Sequence, residues 1–172
     1  EYMFSRCTSL ISLNLSNFNT SQVNNMRGMF EHCSSLITLN LSNFDTSKVT
    51  YMLIMFINCS SLISLDLSNF NTSKVIVMNY MFENCTNLEY INLQNFEERE
   101  FSSYDDMFDN VLDNVVICIN ENKTKILSEI VNISCYIIDC TNNWKSEQNK
   151  LINTKNCIDK KDSKEKNKLY DM

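Results

Sequence analysis

The sequence predicts an α/β fold, a right-handed solenoid with a parallel β-sheet on one face and short helices on the other. Two observations lead to this prediction. Within each repeat the apolar pattern changes from strict alternation to spacings of three and four, as expected for a strand followed by a helix. One dipeptide also recurs at a constant step along the chain, and such a regular period is typical of stacked repeats. The copies are Met3-Phe4, Met29-Phe30, Met55-Phe56, Met81-Phe82 and Met107-Phe108.

The strand of each repeat is predicted from a short alternating segment. In the segment Leu13-Asn14-Leu15, two apolar side chains flank a polar one, which is the pattern of a strand with one buried face. The alternation returns at every repeat, and Ile117 still falls one full repeat after Ile91. We therefore expect a parallel sheet whose last strand lies near residue 119.

The helix is predicted from the second half of the repeat. Val23, Met26, Met29 and Phe30 lie three and four positions apart or next to each other, which marks one face of a short helix. The hydroxyl group of Thr20 or of Ser21 precedes this segment and is suited to cap its first free amide groups. One repeat is thus expected to consist of a strand, a turn and a short helix.

The repeats divide the chain of 172 residues into three parts. We expect a leucine-rich solenoid at residues 1–119, with four to five units of which the first is incomplete. A small cysteine-containing cap is expected at residues 120–158, followed by a charged, disordered tail at residues 159–172. Because the first unit leaves an apolar flank uncovered, we also expect further repeats or a cap upstream and self-association through this end.

Composition and charge limit the classes of partner. The formal net charge is −6, and no basic face is available to neutralise phosphates, which argues against nucleic-acid binding. The chain has no apolar run of about 18 residues that spans a bilayer. Contact with a membrane would therefore require an anchor that is absent from this chain.

The repeat consensus resembles a known family. Its pattern is S-L-x-x-L-x-L-S-N-F-x-T-S-x-V-x-x-M-x-x-M-F-x-x-C, and it closely resembles the BspA-like leucine-rich-repeat surface proteins over residues 3 to about 112. The resemblance implies a secreted or surface-anchored protein, located outside the cell, that acts in adhesion. It does not name a ligand.

The eight cysteines fall into two groups. Four occupy equivalent positions of the repeats and are expected to be buried free thiols, with soft-metal binding as the weaker alternative: Cys7, Cys33, Cys59 and Cys85. The other four follow the repeats, and we expect disulfides among them, with free thiols and a zinc site as alternatives: Cys118, Cys135, Cys140 and Cys157. No metal and no cofactor is assigned.

No catalytic residues are predicted, and the chain is not expected to be an enzyme. His32 is the single histidine and lies next to Cys33, but sequence neighbours rarely face each other on a helix. It is therefore expected to be an exposed surface residue. Asn122 and Asn132 are candidate glycosylation sites, because each begins an N-x-Ser/Thr sequon.

The outward positions of the predicted strands form a polar surface suited to a protein or glycan ligand. We expect a non-catalytic recognition and adhesion module that binds through this surface. The alternative is a structural stalk that holds another domain away from the membrane. The candidate ligand-binding residues are Ser12, Asn14, Thr38, Asn40, Ser64, Asp66, Tyr90 and Asn92.

Overall fold

A computed structural model describes residues 1–97, 103–112 and 115–120, together with the backbone of residues 135–137. In these residues four parallel strands form a sheet in the order β1-β2-β3-β4. The strands are short, with three residues each, and a turn begins at Ser68 soon after β1 and at Gln94 soon after β2. Their bounds are β1 Ser64–Asp66, β2 Tyr90–Asn92, β3 Val116–Cys118 and β4 Cys135–Ile137.

The register of the sheet follows the sequence period. Leu65 pairs with Ile91, and Ile91 pairs with Ile117, so each strand advances by one repeat. The three side chains are buried, which places the apolar column of the alternating segments inside the molecule. Ahead of β1 the structure has no strand at the first two alternating segments, and Thr38 forms an isolated bridge to Ser64.

The sheet does not end near residue 119, and this expectation was wrong. Strand β4 pairs with β3 in parallel, with Val116 opposite Cys135 and Cys118 opposite Ile137. The step from residue 116 to residue 135 is shorter than one repeat. The strand therefore lies outside the columns from which the others were predicted.

The predicted short helices are also wrong, because the described residues contain no helix. In the Met26–Cys33 segment, consecutive turns are closed by backbone hydrogen bonds three positions apart, such as Met29 N to Met26 O at 3.2 Å and Cys33 N to Phe30 O at 3.1 Å. A spacing of three to four positions between inward side chains arises from such turns as well as from a helix. The spacing of apolar residues alone therefore did not distinguish a helix from a series of turns.

Left-handed backbone positions exclude a helix in these segments. Two residues of each repeat, four positions apart, have positive φ angles, and a right-handed helix cannot accommodate them. Gly28 has a φ of 59° and His32 a φ of 57°. Asparagine, aspartate and histidine fill five of these positions, in keeping with their greater tolerance of this region: His32, Asn58, Asn84, Asp106 and Asn110.

A second ladder of backbone hydrogen bonds joins the turn segments of neighbouring repeats. Every second amide donates to a carbonyl of the following repeat, as in Phe30 N to Met55 O at 3.0 Å and Phe56 N to Met81 O at 2.9 Å. Parallel bridges link Asn25, Tyr51 and Val77 in the same direction. Each repeat is therefore hydrogen-bonded to the next along two sides. These bonds pair the backbone amide and carbonyl groups of the turn segments, which have no helical partners.

The core between the two ladders is built from columns of identical side chains. Phe30, Phe56 and Phe82 are fully buried. Their rings stack almost in parallel, with centroids 5.6 Å and 5.7 Å apart, and the column continues to Phe4 and Phe108. Such contacts add to the free energy gained by removing the rings from water.

Buried threonines fasten each repeat to the next. The Thr46 hydroxyl donates to Asn71 O at 3.1 Å and accepts from Asn71 N at 2.8 Å. Thr20 and Thr72 make the equivalent pairs of bonds with Asp45 and Glu97. The hydroxyl of Thr20 was expected to cap a helix. It instead bridges two repeats.

Candidate functional site

The polar strand face is the candidate ligand-binding surface, and its exposure changes along the sheet. Six of the eight predicted residues are exposed or half-buried: Ser12, Asn14, Thr38, Asn40, Ser64 and Asp66. Tyr90 and Asn92 are buried, each with 6% of its surface exposed. The accessible part of the face therefore lies on the first three repeats.

The inclusion of Tyr90 and Asn92 in an exposed face was wrong. Both residues lie on β2, and their partners on β3 are Val116 and Cys118, which are themselves buried. The outward side of the sheet thus becomes apolar and covered at β3. Burial is the main cause that raises the pKa of Tyr90 to about 12, and the nearby negative charge of Asp66 adds to it. The Tyr90 hydroxyl therefore stays protonated at neutral pH.

The asparagine and aspartate of each strand also have a structural role. Asp66 Oδ1 accepts a hydrogen bond from Ser68 N at 2.9 Å, and Asn40 Oδ1 accepts from Ser42 N at 3.0 Å. Asn14 makes the same bond. Each is an Asx turn, in which a side chain stabilises the bend that follows the strand. One side-chain oxygen per residue is therefore already engaged.

A shallow depression lies on the accessible face between the second and third repeats, with a volume of about 360 Å³. Asp66 is the single charged side chain of its lining, and its second carboxylate oxygen is not part of the turn bond. Hydroxyl and amide groups surround it, so the depression offers both donors and acceptors. Its polar lining residues are Thr38, Asn40, Ser42, Ser64, Asp66, Ser68 and Asn69.

The cysteine column is buried in three of its four members. Cys33, Cys59 and Cys85 have no exposed surface, and each thiol donates to a carbonyl of the preceding repeat, as in Cys59 Sγ to Phe30 O at 3.1 Å. Burial raises the pKa of Cys33 to about 11 and that of Cys85 to about 12. Protonated, buried thiols are poor nucleophiles and poor metal ligands.

Cys7 is exposed, so its place among the buried thiols was wrong. The later cysteines lie against the preceding repeat, and their thiols bond to its carbonyls. Cys7 belongs to the first repeat and has no such neighbour among the described residues. Equivalence in the sequence therefore does not give equivalent burial at the end of the stack.

The thiols are expected to differ in reactivity by position. In the native protein, iodoacetamide should label Cys7 and leave Cys33, Cys59 and Cys85 unmodified, because a buried protonated thiol neither ionises nor meets the reagent. Peptide mapping by mass spectrometry reads out each site, and denatured, unreduced protein should show all four labelled. Rapid native labelling of Cys59 would contradict the burial of this column.

Of the four cysteines that follow the repeats, the structure describes the side chain of one, Cys118. Cys118 is disulfide-bonded and buried on β3. The side chains of the other candidates, Cys135, Cys140 and Cys157, lie outside the described residues, as do the sequons at Asn122 and Asn132 and the predicted tail.

His32 does not pair with the neighbouring cysteine. Its Nε2 lies 3.6 Å from Glu31 Oε1, whereas the Cys33 thiol donates to Phe4 O. The His32 side chain is 41% exposed. In the part of the chain that the structure describes, there is no group of three or more candidate metal ligands and no helix that meets the length and hydropathy of a membrane span.

Two recurring features were missed in the sequence. The asparagine after each strand donates to carbonyls of the preceding repeat, as in Asn69 Nδ2 to Leu41 O and to Phe44 O, both at 3.0 Å. Asn43 and Asn95 occupy equivalent positions. The recurring Asn of the S-N-F segment was the available signal. The second feature is a row of isoleucines, of which Ile11 and Ile37 are exposed.

Comparison with known proteins shows the family and no individual relative. Neither the curated proteins nor the solved structures include a match to this chain. A family model described as "Mycoplasma protein of unknown function, DUF285" matches residues 1–116, a stretch that contains all of the Met-Phe repeats and ends at the start of β3. The chain belongs to the DUF285 family.

Proposed function

We propose that the chain is a non-catalytic recognition module of the BspA-like leucine-rich-repeat type, in which stacked repeats form a solenoid and a ligand docks on the polar strand face. The pairing of strands that lie one repeat apart supports the solenoid. The repeat consensus supports a secreted or surface-bound location, since it resembles surface proteins that act in adhesion.

The observation that carries the proposed binding function is the depression around Asp66. Its lining combines one carboxylate with hydroxyl and amide groups, on a face that is otherwise uncharged. A carboxylate accepts strong hydrogen bonds from hydroxyl or amine groups, which contribute about 1.5 to 3 kcal/mol each. We expect the ligand to be a glycan or a protein surface that presents such donors to Asp66.

The test replaces the carboxylate without changing the turn. In Asp66→Asn the Asx turn is retained, because Asn40 and Asn14 make the same bond in the preceding repeats. We expect this variant to bind its glycan or matrix protein at least tenfold more weakly, as measured by biolayer interferometry after a glycan-array and matrix-protein screen.

Asp45→Asn is the matched control for this experiment. Asp45 Oδ1 accepts from Ser47 N in an equivalent turn, and Asp45 is exposed but does not line the depression. This variant removes the same charge and should bind as the parent protein does. If the screen yields no ligand whose affinity depends on Asp66, the binding proposal fails.

A structural spacer is the second candidate function. The Asx turns favour it, because Asn14, Asn40 and Asp66 each already serve the fold through one side-chain oxygen. A spacer requires stiffness and length and no ligand. Absence of binding together with an unchanged melting temperature in Asp66→Asn would favour this role.

A further inference from the structure

A row of isoleucines runs along the stack beside the polar face. Ile11 is 60% exposed and Ile37 is 40% exposed, and Ile63 continues the row as a half-buried side chain. Backbone hydrogen bonds hold the row in register, from Ile37 N to Ile11 O at 3.0 Å and from Ile63 N to Ile37 O at 3.3 Å. Neighbouring apolar side chains on the surface form a contiguous patch, and such patches mark interaction sites more often than scattered apolar residues do.

The row forms one wall of an open groove of about 490 Å³. Ser35, Ser61 and Asn87 form a parallel polar row, and Leu112 and Glu89 lie at the end toward the later repeats. The groove is separate from the depression around Asp66, since the two share no lining residue. Its isoleucine side is apolar, its serine and asparagine side is polar, and Glu89 makes one end acidic.

The spacing of the row selects the shape of its occupant. Hydrogen-bonded parallel strands lie about 4.8 Å apart, and the phenylalanine rings of successive repeats are 5.3 to 5.7 Å apart. One turn of an α-helix rises about 5.4 Å. Side chains on the same side of an extended strand are instead about 6.8 Å apart, so they lose register after two repeats.

The charge at the end of the groove favours one direction of a bound helix. Glu89 brings a carboxylate to the end near Leu112, and no ion pair to it is present in the described ranges. A helix N-terminus carries a partial positive charge that favours a nearby carboxylate. A lysine or arginine in the first turn strengthens this attraction.

We propose that the isoleucine groove binds an amphipathic α-helix of a partner protein, which lies along the stack with its basic N-terminal turn at Glu89. Leucine-like side chains at every third or fourth position of that helix pack against Ile11, Ile37 and Ile63. This is the groove mode of helix recognition, in which an apolar stripe is buried at spacings of three and four positions. The proposal does not depend on a ligand at Asp66.

The probe is a designed helical peptide of about 15 residues, with leucine at every third or fourth position and lysine in its first turn. Its binding to the full chain is measured by fluorescence anisotropy. Two further peptides serve as competitors. One has the same composition with its apolar stripe scrambled, and the other alternates leucine and lysine, as an extended strand would require. Equal or tighter binding of either competitor would overturn the proposal.

Two threonine substitutions at similarly exposed positions provide the second arm. Ile37→Thr retains the branched side chain and should weaken peptide binding about tenfold, because it removes apolar contact in the groove. Tyr51 is 41% exposed and does not line the groove, so Tyr51→Thr should leave binding unchanged. Both variants should melt as the parent does, and equal affinity of the two would overturn the proposal.

Glu89→Gln tests the direction of the helix. The variant should weaken binding of the peptide with an N-terminal lysine by about threefold, and should leave unchanged a peptide with the lysine moved to its last turn. The effect should disappear in about 1 M salt, at which surface charges are screened. A larger loss for the peptide with the C-terminal lysine would overturn the proposed direction.

Discussion

Replacement of Leu65 by aspartate is expected to destabilise the protein by about 5 kcal/mol or more. Leu65 is 1% exposed and pairs with Ile91 in the middle of the stack. A carboxylate at this position either ionises without a partner or becomes protonated at a cost in free energy. We expect urea denaturation, followed by circular dichroism, to show loss of the folded baseline or a strongly lowered midpoint.

The adjacent residue supplies the control. Asp66 is exposed on the opposite side of the same strand, and Asp66→Asn keeps the turn bond to Ser68 that other repeats make with asparagine. Its free energy of unfolding should change by less than about 0.5 kcal/mol. Similar losses in the two variants would mean that the face assignment of β1 is wrong, because a shift of one residue exchanges the faces.

Periodicity predicted the register of the sheet for a physical reason. Similar apolar side chains in equivalent positions pack against each other when the chain advances by whole repeats, so Ile91 lies beside Leu65 and Ile117 beside Ile91. No such constraint acts on β4, which follows β3 after less than one repeat. Its pairing with β3 was therefore not predictable from the columns.

The helix prediction failed because inward spacing does not report the sign of φ. Val23, Met26 and Met29 point toward the core at intervals that suit both a helix and a series of turns. The deciding information lies at other positions of the segment, where Gly28 and His32 have positive φ angles. A glycine or asparagine that recurs in the middle of a supposed helix is the sequence signal for such turns.

The alternation of the strands indicated which residues share a face but not how exposed each of them is. Ser64 and Asp66 remain accessible, whereas Tyr90 and Asn92 are buried next to Val116 and Cys118. The alternation of a strand gives the face of a residue. It does not tell what lies over that face, which depends on segments far away in the sequence.

Phe56→Ala is expected to have the second large effect, a loss of about 3 to 5 kcal/mol in the free energy of unfolding. Phe56 has no exposed surface and stacks on Phe30 and Phe82 with centroid distances of 5.6 Å and 5.7 Å. Truncation leaves a cavity in the middle of the ring column, and the ladder on both sides limits its collapse. Urea titration monitored by circular dichroism measures the loss.

Phe4→Ala makes the same chemical change at the first position of this column. Phe4 is half-buried and stacks on one later ring, Phe30, so we expect it to lose less than half as much stability as Phe56→Ala. In stacked repeats, stability is close to a sum of terms between nearest neighbours, and a central residue contributes to two of them. Equal losses of stability at the two positions would show that the ring column does not couple adjacent repeats. In that case Phe56→Ala should also leave hydrogen exchange unchanged at Phe30 N, which bonds to Met55 O.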